Sequence, residues 1–174
     1  MKFLLPSFVL ALSAAGLDLD VGVTAGSVFP VGSWGEQIGS GLSARAAVQW
    51  KPAARLGAGA SLGIGIYGDE YDGDASVVML SPEITGSFHL RPWGRSFNPG
   101  IEAGFGMNRT SMECAGGSDP ASWDPFWRAG LRWDFGMGSG FRGAIGFDLA
   151  SILSQRVSSD SFSILFRLSR EVEL

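Results

Sequence analysis

Apolar residues recur at every second position along much of this chain: Leu17, Leu19, Val21, Val23 and Ala25; Leu42, Ala44, Ala46, Val48 and Trp50; Leu56, Ala58, Ala60, Leu62, Ile64 and Ile66. Gly, Ser, Thr, Asp, Glu, Arg and Gln fill most of the positions between. A period of two sends successive side chains to opposite faces of a strand, so these segments read as β-strands with one apolar and one polar face. The pattern predicts eight strands, over residues 17–29, 40–51, 55–67, 76–90, 100–112, 125–136, 141–151 and 162–174. Pro82 cannot donate to a ladder, which predicts a bend in the fourth. No linker or low-complexity tract divides the chain, and its 174 residues suit one domain.

Ahead of the first strand, Lys2, the apolar stretch Phe3 to Leu12 and the small residues Ser13-Ala14-Ala15-Gly16 read as a secretory leader. The expected organisation is a signal peptide over 1–16 and a mature domain over 17–174. The single cysteine, Cys114, excludes an intramolecular disulfide framework.

Which face of the strands points inward decides between a soluble barrel and a membrane barrel. One face carries Ile101, Ala103, Phe105 and Met107, then Trp127, Ala129, Leu131, Trp133 and Phe135, with similar sets on the last two strands. The opposite face carries Asp18, Asp20, Arg45, Glu83, His89, Glu102, Arg128, Arg132, Asp134, Arg142, Asp148 and Arg167. It also holds glycines, among them Gly57, Gly59, Gly63, Gly65, Gly104, Gly106 and Gly130, which suggests crowding there. Lysine occurs only at Lys2 and Lys51, whereas a water-facing exterior uses it freely. Eight strands enclose just enough space for side chains. Small residues and paired charges therefore belong in the lumen, and the apolar face meets lipid. Arginine suits such pairing because its planar fork matches a carboxylate.

The expected fold is thus an all-β, eight-stranded antiparallel up-and-down transmembrane β-barrel. Two aromatic girdles are predicted for it. Phe29, Trp34, Trp123, Trp127 and Phe162 fall near the end with long connections, and Trp50, Trp93, Trp133, Phe135 and Phe141 near the end with short turns. The long loops are acidic. Asp69, Glu70, Asp72 and Asp74 form a possible cation or surface-binding loop, although their spacing matches no known metal motif. The short turns are basic, with Lys51, Arg55, Arg91 and Arg95. Neither a phosphate-cradling loop nor a basic patch for nucleic acid is present, and no cofactor or bound metal is expected.

The chain resembles the small eight-stranded outer-membrane barrels of the outer membrane protein A/X and opacity-protein type. The likeness covers the whole mature region and rests on its alternation, including Phe162-Ser163-Ile164-Leu165-Phe166-Arg167-Leu168 in the last strand. It implies a bacterial outer-membrane location after export and leader cleavage, contact with membrane lipids including lipopolysaccharide, and recognition of the last strand by the outer-membrane assembly machinery. That strand continues to Leu174 instead of closing on an aromatic. Enzymes among such barrels, the lipid A palmitoyltransferases and deacylases, use a His with a Ser and a carboxylate. Here His89 is the only histidine, Ser87 lies two residues away, and Phe88-His89-Leu90-Arg91 lacks the His-x-Ser arrangement. The leading expectation is a non-enzymatic protein with a structural or surface-interaction role through acidic external loops and an unidentified extracellular ligand. A narrow or gated, porin-like channel is the alternative, and a lipid-modifying enzyme the third reading.

Overall fold

A computed structural model describes residues 18–32, 35–36, 38–69, 76–93, 95–114, 117–118, 121–153 and 158–173. The leader, Trp34, Glu70, Asp72 and Asp74 lie outside the described residues, as do the side chains of Asp69 and Cys114. The strands are β1 (Asp18–Val31), β2 (Ile38–Ala53), β3 (Leu56–Asp69), β4 (Ser76–His89), β5 (Phe97–Cys114), β6 (Gly117–Ser118), β7 (Ser122–Gly138), β8 (Phe141–Leu153) and β9 (Ser158–Glu173). Eight of them are long. Each pairs antiparallel with its sequence neighbour, and β1 pairs with β9 from Asp18–Glu173 to Val31–Asp160. The sheet therefore closes on itself, which leaves no exposed edge. The two-residue β6 pairs with Glu113 and Cys114 at the tip of β5.

All eight predicted strands are present, and most run a few residues further than the alternation does. A tilted strand needs about 9–11 residues to cross a bilayer. The barrel strands have 13 to 18, so they project beyond it. The connection left between the predicted strands 100–112 and 125–136 is correspondingly shortened, because β5 pairs onward to Cys114 and β7 begins at Ser122. Once outside lipid, backbone pairing continues whatever the side chains alternate between.

Pro82 leaves a local gap instead of a general break. Its pairing with Leu62 on β3 is unbroken, whereas the β4–β5 ladder skips Ser81 and Pro82 without a register shift. The Ser81 hydroxyl donates to Asn108 Oδ1 at 2.6 Å across that gap, so side chains replace the missing backbone bond.

The short connections cluster at one end with the described chain ends. Ser139 (φ 53°) and Gly140 (φ 76°) form a two-residue turn with both central residues left-handed, the twist that suits a hairpin. The seven-residue link between β4 and β5 is organised by Asn98. Its amide donates to the Arg91 and Pro92 carbonyls, and its oxygen accepts from Arg91 N–H at 3.0 Å.

The apolar face points outward. Val23 is 60% exposed, Leu62 52% and Leu149 58%, which no soluble core tolerates in such number. Four outward aromatics make a diagonal chain of contacts that leads from Phe29 and Phe162 of the predicted loop-end girdle, through Phe147, to Trp133 of the turn-end one. Phe29 stacks on Phe162 (6.5 Å), Phe162 on Phe147 (6.1 Å), and Phe147 meets Trp133 edge-on (5.8 Å). Phe29 and Phe162 are directly opposed, while the other two contacts are diagonal ones between adjacent strands.

Two outcomes check this architecture. Leu62→Arg, at mid-strand on the outer face, is expected to cost about 2–4 kcal/mol in chemical unfolding from lipid vesicles. Ser139→Val should cost about 1–2 kcal/mol in the same assay, because a β-branched residue resists the left-handed conformation, whereas Ser139→Gly should be tolerated.

Candidate functional site

The lumen is the part of the molecule where chemistry-bearing side chains converge. Arg128 on β7 stands at its centre. Its Nε donates to both Glu83 oxygens (2.8 and 3.0 Å), Nη1 to Asp148 (3.1 Å) and Nη2 to Glu102 (2.6 Å). One guanidinium thus ties β4, β5 and β8 to β7. Glu102 in turn accepts from Arg132 Nη1 at 2.6 Å and lies 3.7 Å from Arg167. Arg45 reaches Glu83 (3.2 Å) and Asp148 (3.5 Å), and Arg167 pairs with Asp20 (3.3 Å).

Glycines make room for these groups. A Cβ on Gly104 would strike the Glu83 carboxylate, one on Gly130 the Asp148 carboxylate, and one on Gly57 the Gln49 amide. At these three positions the crowding expected from glycine placement is specific: the missing side chain leaves a pit occupied by a charged or amide group from the next strand.

His89 is fully buried at the turn end of the network. Its Nε2 lies 2.6 Å from Asp134 Oδ2 and 3.1 Å from Arg132 Nη2. Asp134 also meets Arg132 Nε at 3.1 Å. Ser87 does not approach the ring for a hydrogen bond; its hydroxyl is bonded by Gln49 Nε2 at 2.6 Å.

Trp93, expected in a lipid-facing girdle, caps the lumen instead. Its ring lies 4.0 Å from that of His89, and its indole N–H is shared between the Ala53 and Leu56 carbonyls at 3.2 Å each. Lys51 and Arg142 approach the same ring at 5.1 and 5.7 Å. Both cations pair with Glu171, Arg142 at 2.8 Å. The reason is the Asn98-stitched turn, which carries Trp93 across the barrel mouth where cations can cover its face. Asp18 is the other correction: it shares the inward phase of β1 but lies at the strand end, exposed to solvent and outside the network.

Among the described residues, six inward cations (Arg45, Lys51, Arg128, Arg132, Arg142, Arg167) face six carboxylates (Asp20, Glu83, Glu102, Asp134, Asp148, Glu171). The charge set predicted for the lumen is thus balanced once Asp18 is left out and Lys51 and Glu171 are added. Lys51, which the sequence places in a basic turn, shares the parity of Gln49 and points inward.

The loop end is closed differently. Val28, Ile38, Tyr67, Val77 and Met79 point inward and pack together with Ile152 against them. The alternation predicts a lumen of small residues and paired charges; toward the loop end the structure adds this apolar cluster. The signal lay in runs that break the alternation, such as Val77-Val78-Met79-Leu80 and Val28-Phe29. A cavity of about 80 Å³ lies between this plug and the ion network, and one of about 30 Å³ lies within the network beside Arg45, Glu102 and Arg167.

Comparison with known proteins finds no matching family model and no curated protein matching in sequence. Solved structures do match. Neisserial surface protein A aligns with a TM-score of 0.65 at 12% identity, over 89% of this chain and 96% of its own. The chain has the fold of the small eight-stranded outer-membrane barrels. Ail of Yersinia pestis, solved with the heparin analogue sucrose octasulfate, aligns at 0.58 and 10% identity over 90% and 99% of the two chains. The outer membrane enzyme PagL aligns at 0.55 and 20% identity over 85% and 97%. Outer-membrane barrels of this build thus serve as surface proteins and as enzymes, and the fold alone does not choose between those tasks.

Glu102→Gln should destabilise the barrel by about 3–5 kcal/mol, since it leaves buried guanidinium groups without their shared counter-charge. Combining it with Arg132→Met should cost less than the two single changes together, as coupled neighbours do. Unfolding from lipid vesicles measures both.

Proposed function

We propose that this protein is a closed, non-conducting barrel of the bacterial outer membrane that works through its external loops. On this reading it is exported, loses residues 1–16, and inserts with its short turns in the periplasm and its long connections outside. The lumen carries the proposal: it is capped by Trp93, crossed by the ion network and plugged by the Val28–Met79 cluster. A continuous water path needs a wider barrel or a weaker network. Membrane lipids, including lipopolysaccharide, surround the wall, and β9 presents the segment that the assembly machinery would read.

The non-enzymatic part of the reading rests on how its one histidine is used. His89 is buried, bound to Asp134 and covered by the tilted Trp93 ring, while Ser87 serves Gln49. A nucleophile and its base need mutual contact and access to substrate. The loop end is acidic, with Glu36, Glu70, Asp72 and Asp74 in the connections and Asp69 and Asp124 at the adjoining strand ends. Ail was solved with a polyanion; loops of this charge favour the opposite chemistry, a cation or a basic surface.

Planar-bilayer recording tests the closed state. The expected result is no stable single-channel step, from the wild type or from Trp93→Ala, because the ion network and apolar plug remain. Reproducible steps would overturn the reading in favour of a channel. Lipid A extracted from overexpressing cells should be unchanged, and its modification would establish an enzyme instead.

A further inference from the structure

On the outer wall, Arg170 stands beside an apolar groove. Arg170 lies near the turn end of β9, one residue before the inward-facing Glu171, and points outward. Its guanidinium is held 5.3 Å from the centre of the Phe141 ring, its register partner on β8. Among the described residues no carboxylate lies within ion-pairing distance of it, whereas Lys51 and Arg142 nearby both pair with Glu171. An outward arginine at this height sits at the level of lipid headgroups.

The groove of about 550 Å³ begins beside it. Arg170 is in register with Val21, Val48 and Ala60 across β1, β2 and β3. The next row toward mid-membrane is Leu168, Val23, Ala46 and Leu62. Ala46 and Ala60 form a low floor, and the longer apolar side chains around them form the walls. An apolar trough beside a ring-clamped guanidinium that has no partner among the described carboxylates is complementary to one amphiphile: an acyl chain with a phosphate at its end.

We propose that this groove holds one anionic glycerophospholipid of the periplasmic leaflet, with its acyl chain over Ala46 and Ala60 and its phosphate on Arg170. The inference rests on the membrane orientation proposed above and adds a specific lipid site to it. The phosphate would supply the counter-charge that no described carboxylate gives Arg170. The Phe141 ring restricts the guanidinium to the wall, which lowers the entropy lost on binding.

Native mass spectrometry of the full chain, folded in detergent and titrated with phosphatidylglycerol or phosphatidylcholine, tests this. The wild type should retain a single phosphatidylglycerol with about five-fold preference, the worth of one interfacial cation near an anionic headgroup. Arg170→Gln should abolish the preference and Arg170→Lys should keep most of it. Ala46→Leu, which fills the floor on a lipid-facing position, should weaken retention of both lipids. Equal retention of the two lipids by the wild type, or a preference unchanged in Arg170→Gln, would overturn the site. Altered migration of unboiled against boiled samples confirms that each variant is a folded barrel. If that shift is absent in the wild type, the membrane reading itself fails; if it is present without lipid preference, only this site does.

Discussion

Arg128 makes the interaction on which the rest of the structure depends. Its guanidinium is buried and holds Glu83, Glu102 and Asp148 from three other strands. Burying such groups separately would cost several kcal/mol each; gathered as paired forks they become affordable and geometrically specific. Closure of the sheet brings them together, and their mutual attraction holds the sheet closed. Glycines at 104 and 130 are part of the same arrangement, since a side chain at either would collide with the carboxylates.

Along the axis the lumen changes character for a physical reason. Where the wall is surrounded by lipid, the inward positions are the only place for polar side chains, and they must neutralise one another. Where the strands project beyond the bilayer, the inward face becomes an ordinary protein core, and Val77 and Met79 bury themselves as they would in a soluble domain. At the opposite end a tryptophan serves as lid because its flat ring covers His89 while its N–H still finds backbone carbonyls.

Strand number, strand phase and most of the ion network were legible in the sequence, because period-two alternation assigns each residue to a face without knowledge of its partners. Asp20, Arg45, Glu83, His89, Glu102, Arg128, Arg132, Asp134, Arg142, Asp148 and Arg167 all point inward as their phase requires. Phase does not report height. Asp18 has the right phase and lies at the rim, while Lys51 and Glu171 have it and are engaged there. Trp93 escaped because a turn residue has no phase at all; its place depends on the Asn98 hydrogen bonds. The apolar plug was hidden because it appears as broken alternation, which reads as a strand end. The diagonal aromatic stripe depends on inter-strand register, which one strand's sequence does not contain.

The central claim is that lipid meets the outer face while the lumen is sealed from water. Spin labels on single cysteines, introduced into a Cys114→Ser chain reconstituted in lipid vesicles, test it most directly. Ala46, Ala60 and Leu62 represent the outer face; Ser43, Ser61 and Ser81 represent the inner. Labels at the outer positions should be accessible to dissolved oxygen and shielded from a water-soluble nickel complex, and labels at the inner positions should be shielded from both. Nickel access at Ser43, Ser61 or Ser81 would reveal an open lumen, and nickel access at Ala46, Ala60 or Leu62 would show that the apolar face does not meet lipid.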